Sequence, residues 1–249
     1  DMRALCDRRW AEVLGPSCDG LVAPFTTPKI LMIDRITHLR PNGGQHGLGL
    51  LVGEKTLARD HWYFPCHFKD DEVMAGSLVS DGCAQLLKVY MAWLGLHVGG
   101  TDVQFRPIYG LGNKVRCRGQ IAPHAGKLVY VLEVKELGHD ANGCPYLNAD
   151  VNILDVDAEQ GQTFDFDVDW PKYGQGDPDH RIVVDFHNVG LHLEGGRKPT
   201  NDVALTLGYA SEDHVVQGKA LVPHTVLYDA LAGPTYPRHH RFQQHRGVD

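Results

Sequence analysis

The chain has 249 residues, 43% hydrophobic and 8% aromatic, which suits one or two domains with a real core. Its 24 lysines and arginines against 31 aspartates and glutamates leave a net charge of −7, which argues against nucleic acid as a partner. No apolar run reaches the roughly 18 residues of a membrane span, and the six cysteines form neither a CxxC pair nor a regular framework, so reduced thiols in a cytoplasmic protein are expected.

The first residues, Asp1-Met2-Arg3, open a polar, helix-like stretch to Leu14 and not a secretory signal. A start at Asp and not Met is what a piece of a longer protein, or a processed chain, would show. Residues 29–36 read as a short apolar strand and 47–57 as a second, by alternation. Residues 64–85, FPCHFKDDEVMAGSLVSDGCAQ, carry the chemistry. His67 sits in a loop flanked by Cys66 and aromatic residues, and Gly76 follows nine residues later. The run 78–96 is then apolar nearly all round, as in a buried helix. Its polar residues, Ser77, Asp81, Gln85 and Lys88, fall on one stripe, whose bland reading is a solvated face. A carboxylate in such a helix costs several kcal/mol or so unless it is paired or protonated. Asp81 is therefore expected in an apolar setting that favours its acid form.

After the Gly99-Gly100 break, residues 102–109, 113–121 and 127–137 read as strands, and 146–156 as another after Asn142-Gly143. One buried helix with sequential strands is α+β, an antiparallel sheet wrapped on the helix. Beyond Asp157 the pattern thins to a strand at 181–193 and short ordered stretches at 203–207 and 225–231. A basic, polar tail follows at 237–246. The expected organisation is a domain over 1–165, with an N-terminal helix at 1–16, and an irregular extension or linker over 166–249.

The order Cys66-His67-Phe68, Val73-Met74-Ala75-Gly76, Asp81, Gln85 resembles the active-site region of the β-hydroxyacyl-acyl carrier protein dehydratases. These form the β-hydroxydecanoyl-thioester dehydratase branch of the hot-dog superfamily. Members carry a Cys-His-Phe loop, a Val-Met-Pro-Gly turn, and a helix with an Asp and a Gln four residues on. The resemblance covers about 28–157. With KVRCRGQIAPHAGKLVYVLEV and YGQGD…IVVDF downstream, the wording is most similar to dehydratase domains of polyunsaturated fatty acid synthases. Ala75 departs from the family's proline, loosening the turn but leaving Gly76 and its N–H.

The resemblance implies a hot-dog fold and dehydration of a 3-hydroxyacyl thioester on an acyl carrier protein to the trans-2-enoyl thioester, with isomerisation to a cis alkene left open. His67 would be the base, Asp81 would assist hydroxyl departure, Gly76 would bind the thioester carbonyl, and Gln85 and Cys66 would support them. No cofactor is required. His and Asp of one site usually come from different subunits, which implies a homodimer or pairing with a second hot-dog domain. A hot-dog thioesterase using Asp81 to activate water is the enzymatic alternative, and a non-catalytic module pairing with an active domain is another. A metal set drawn from His61, Cys66, His67 and Asp70 lacks regular ligand spacing, and the tail histidines His224, His239, His240 and His245 suit a solvated tail better. An apolar acyl tunnel beside the helix, limited in depth by Tyr90 and Trp93, is expected. Lys114, Arg116 and Arg118 alternate with Val115 and Cys117 along one strand. Either they are an ordinary solvated face, or they receive the phosphopantetheine phosphate and acidic surface of the carrier.

Overall fold

Alternation of apolar residues between Gly, Pro and Asn punctuation gives this chain its strands, and a computed structural model describes residues 2–68, 70–98, 100–108, 110–173 and 182–197. Two short helices, α1 (Arg3–Cys6) and α2 (Trp10–Leu14), lead into β1 (Arg35–Arg40) and β2 (Leu50–Leu57). The long helix α3 (Gly76–Trp93) follows, then β3 (Gly100–Pro107), β4 (Lys114–Cys117), β5 (Gly126–His139), β6 (Pro145–Asp157), α4 (Phe166–Tyr173) and β7 (Ile182–Arg197). The strands form one antiparallel sheet in the order β1-β2-β5-β6-β7-β3, with β4 also paired to β7. This is a hot-dog fold, with α3 as its filling. Among the described residues no helix is long and apolar enough to cross a membrane.

The two faces of the sheet bury different things, as a period of two requires. Leu51, Leu128, Tyr130 and Leu132 face α3 in the main core with Val79, Cys83, Leu86, Leu87 and Tyr90. Leu50, Val52, Val129 and Val131 face the other way, where Phe164, Phe166 and Trp170 of the α4 segment cover them. Helix and sheet approach so closely that a Cβ at Gly82 would stand 2.7 Å from the Tyr130 ring, and glycine alone fits there.

The N-terminal arm closes the rest of the helix. Trp10 is buried, donates from Nε1 to Ala23 O at 2.9 Å, and meets Phe25 edge-on. Lys88 Nζ donates to Phe25 O at 2.6 Å. Gln85 accepts from Met32 N and donates to Ile30 O, both at 2.9 Å.

These bonds explain one departure from the sequence reading. Residues 29–36 are not a strand from the start: Pro28–Ile30 is a 3-10 turn, and β1 begins only at Arg35. The Ile30 carbonyl and Met32 N–H that a strand would use belong to Gln85 instead. The N-terminal helix also divides, into α1 and α2. β7 runs between β6 and β3, so the sheet continues past residue 165 to 197. The stretches 203–207 and 225–231 and the histidine-bearing tail lie outside the described residues.

Candidate active site

Tyr63 and Phe64 are buried and anchor the loop that carries His67. Successive turns tighten it: Phe64 N donates to His61 O, Cys66 N to Tyr63 O and His67 N to Phe64 O. Val73 N returns to His67 O at 2.8 Å, and Met74 N reaches Ile121 O at 2.9 Å, fixing both sides of the loop. The His67 ring lies 3.8 Å from that of Phe68, centroid to centroid. Its Nδ1 is buried and has no hydrogen-bond partner among the described residues. A buried ring nitrogen left unspent is costly in a protein interior.

From Met74 the chain enters α3 directly. Ala75 is the N-cap in an extended conformation, and its carbonyl takes the N–H groups of Leu78 and Val79. No side chain caps this end and no acidic residue stands in the first turn. The first N–H groups therefore keep their partial positive charge. Gly76 is exposed, and a Cβ built on it would meet nothing within 4 Å. The glycine is not demanded by packing within this chain; it leaves open space beside uncapped donors.

Asp81 corrects an expectation. Although α3 is mostly buried, Asp81 and Ser77 are exposed, so the apolar setting expected for the carboxyl is not supplied by this chain alone. The reason is geometric: the sheet and the N-terminal arm cover the other sides of the helix and leave its first turns uncovered on the Asp81 side. Deeper along the same stripe, burial pushes the Lys88 ammonium pKa down, against the opposing pull of Asp81. Gln85 is buried with both ends of its amide spent on backbone, so it acts by pinning residues 30–32 to the helix. Cys66 is exposed and its thiol donates to Trp62 O at 3.1 Å. His61 Nδ1 pairs with the Tyr63 hydroxyl at 2.7 Å.

Tyr90 is fully buried, gives its hydroxyl to Leu48 O at 2.7 Å and stacks on Trp93, so the two rings close the far half of α3. Sequence reading passed over Tyr130. Its hydroxyl is buried, against Gly82, without a hydrogen bond among the described residues, and burial drives its pKa well up, with Cys83, Tyr63, Asp34 and Asp81 adding to the rise. Only its inward place in the alternation of β5 signalled it.

The basic strand is also different from its simplest reading. β4 is exposed throughout, including Val115 and Cys117, because among the described residues β7 alone pairs with it. Arg118 is held by Asp185, whose side chain is 3% exposed, at 2.7 Å. Lys114 and Arg116 stand exposed beside it.

A family model described as the FabA-like domain matches residues 25–160, spanning the end of the arm, the histidine loop, α3 and β1 to β6. The chain belongs to this FabA-like family. It is 55% identical over 197 residues to a polyunsaturated fatty acid synthase subunit of Thraustochytrium sp., a match covering 78% of this chain and 13% of that protein. The FabA-like chain thus spans a small part of its curated relative. Among solved structures, it resembles the dehydratase heterocomplex ApeI:P from Xenorhabdus doucetiae, at 13% identity and TM-score 0.41, covering 70% of this chain and 88% of that one. It also resembles a MaoC-like dehydratase from Rhodospirillum rubrum, at 8% identity and TM-score 0.33, covering 60% and 92%. Likenesses of that size carry no argument about function.

Proposed function

We propose that this FabA-like domain dehydrates a 3-hydroxyacyl thioester, carried on an acyl carrier protein, to the trans-2-enoyl thioester in fatty acid biosynthesis. The observation that carries the reading is a histidine with an unspent ring nitrogen in the loop leading to an uncapped helix start, with an exposed carboxylate on the same helix. His67 takes the proton from C2, and the charge that moves to the thioester oxygen is held by the N–H of Gly76. As the C2–C3 double bond forms, the C3–O bond breaks, and Asp81 gives a proton to the departing hydroxyl, which leaves as water. Return of the C2 proton from His67 to Asp81 by way of solvent resets both groups, so the proton balance closes without a cofactor.

Asp81 is exposed in a single chain, so the reading includes a second hot-dog unit, another copy or a related domain, that covers this face and excludes water from it. The apolar acyl chain would lie beside α3, with Tyr90 and Trp93 setting its depth. Lys114 and Arg116 would steer the carrier by its phosphopantetheine phosphate and acidic surface. Arg118 serves this patch less directly, since Asp185 holds its guanidinium.

The test is turnover of a 3-hydroxyacyl thioester by folded His67→Ala and Asp81→Asn variants. Each should lose at least about a hundredfold, the scale of removing a general acid or base. Near-normal turnover in either removes that residue from the mechanism, and release of free thiol in place of enoyl product makes the protein a thioesterase. For the carrier, Lys114→Glu with Arg116→Glu should raise KM for carrier-bound substrate in a salt-sensitive way and spare a short N-acetylcysteamine thioester. Equal loss on both substrates would make the strand structural.

A further inference from the structure

The tip of the β5–β6 hairpin holds a second cluster of reactive groups, outside the machinery described above. Asp140 opens the turn, and its Oδ1 accepts from Asn142 N at 2.8 Å and Cys144 N at 2.9 Å. Gly143, at φ 75°, completes the reversal in the left-handed region where glycine is at ease. These bonds commit one carboxylate oxygen to the turn. The other, Oδ2, meets His192 Nδ1 at 2.8 Å, brought in from β7 by the register that sets Tyr146 opposite His192. One ligand atom from each of Asp140, Cys144 and His192 lies within 4.8 Å of the others.

An ion pair between His192 and Asp140 would account for part of this arrangement. It does not account for the convergence of a thiol on the same point. His192 is 5% exposed, and its buried Nε2 makes no hydrogen bond among the described residues. That nitrogen stands 3.3 Å from Glu194 Oε1, within ion-pair distance when the ring is charged. A metal-bound imidazole has a use for both sides: one nitrogen ligates, and the other donates its proton to an outer carboxylate that fixes the ring. Glu194 occupies that outer position. A cavity of about 470 Å³, lined by Arg106, Pro107, Ile108, His192 and Glu194, opens on the Glu194 side of the ring.

We propose that Asp140, Cys144 and His192 bind a divalent zinc ion, through Asp140 Oδ2, Cys144 Sγ and His192 Nδ1, with water in the fourth position. The mixed set of carboxylate, thiolate and imidazole suits zinc, which accepts O, S and N ligands in a tetrahedral array, and does not suit magnesium or calcium, which prefer oxygen alone. On binding, the Cys144 thiol releases its proton to solvent, the proton that His192 Nδ1 shares with Asp140 moves to Nε2 in a neutral ring or to solvent from a charged one, and the Asp140 to His192 hydrogen bond is replaced by two bonds to the metal. The ion would clamp the hairpin tip to β7, locking three neighbouring strands at one end of the sheet.

The experiment uses the full chain, stripped with a chelator and reloaded with Zn²⁺ or Co²⁺ alone. About one equivalent of Zn²⁺ should survive dialysis at this site, and thermal unfolding should shift up by several degrees on loading. The Co²⁺ form should show a thiolate-to-metal charge-transfer band. The sequence has no cysteine after Cys144, so the histidine-bearing tail cannot produce that band. Cys144→Ala and His192→Gln should abolish the band and the thermal shift, and Cys117→Ala should keep both. Cys144 is only half-buried, so its variant stays informative if the buried histidine variant misfolds. A Co²⁺ spectrum with no thiolate band overturns the proposal, as does a band or zinc stoichiometry unchanged in Cys144→Ala.

Discussion

At the scale of single residues, the most telling position is a glycine with nothing beside it. Gly82 and Gly76 sit on the same helix, yet a Cβ at Gly82 would strike Tyr130 at 2.7 Å whereas one at Gly76 would touch nothing. Packing within the chain explains the first and not the second. Gly76 also has an ordinary backbone, outside the left-handed region, so alanine there is conformationally free. We expect Gly76→Ala to leave the melting temperature within about 2 °C, the reach of a near-neutral surface change of ~0.5 kcal/mol. In the proposed mechanism the same methyl would crowd the thioester oxygen and lower kcat/KM by at least about tenfold. Melting curves paired with steady-state kinetics decide this. Unchanged kinetics would mean that the thioester carbonyl sits elsewhere.

At the scale of elements, the chain was legible wherever one local signal was enough. The apolar run after Gly76 marked α3, and Asn142-Gly143 marked the β5–β6 hairpin. Contacts distant in sequence were not legible. Gln85 reaching Ile30 and Met32 across more than 50 positions turned an expected strand into a 3-10 turn. Arg118 looked like a surface cation until Asp185, 67 residues away, was found holding it. The exposure of Asp81 was hidden because apolar composition says that a helix is buried without saying which of its turns the sheet covers. His192 joins Asp140 across 52 positions by strand register alone. Three strands also meet in a charge cluster that no local pattern announced. Glu54 of β2 receives Arg35 of β1 at 2.5 Å and Lys127 of β5 at 2.7 Å, with its own side chain 11% exposed. Burial pushes the Glu54 pKa up, but the hydrogen bonds from Lys127 and Arg35 outweigh it and hold the carboxyl below its ordinary value. A depressed carboxylate stabilises the fold above its unfolded pKa, and that share is lost as pH falls through the folded value. We therefore expect Glu54→Gln to cost about 1–3 kcal/mol at pH 7 and progressively less below about pH 4. Urea titrations of both proteins across that range measure it; a cost independent of pH would mean that charge is not what Glu54 contributes.

At the scale of the whole molecule, the fold presents its two proposed catalytic groups in different ways. His67 comes from a loop pinned by Val73 and by the Met74 bond to Ile121, with its ring nitrogen turned inward. Asp81 faces out from a helix whose other sides are closed by the sheet and the N-terminal arm. If two copies pair over this exposed helix face, each site would combine His67 of one chain with Asp81 of the other. That arrangement has a consequence that a site within one chain lacks. In a mixed dimer of His67→Ala and Asp81→Asn chains, one site would carry both substitutions and the other neither. Co-expressing the two inactive variants with different tags and isolating doubly tagged dimers should restore about half the wild-type turnover per dimer, and roughly a quarter in the unsorted mixture, by the two-fold symmetry of the pair. Doubly tagged dimers as inactive as their parents would place His67 and Asp81 of one site in the same chain, and the exposed face of α3 would then need another explanation.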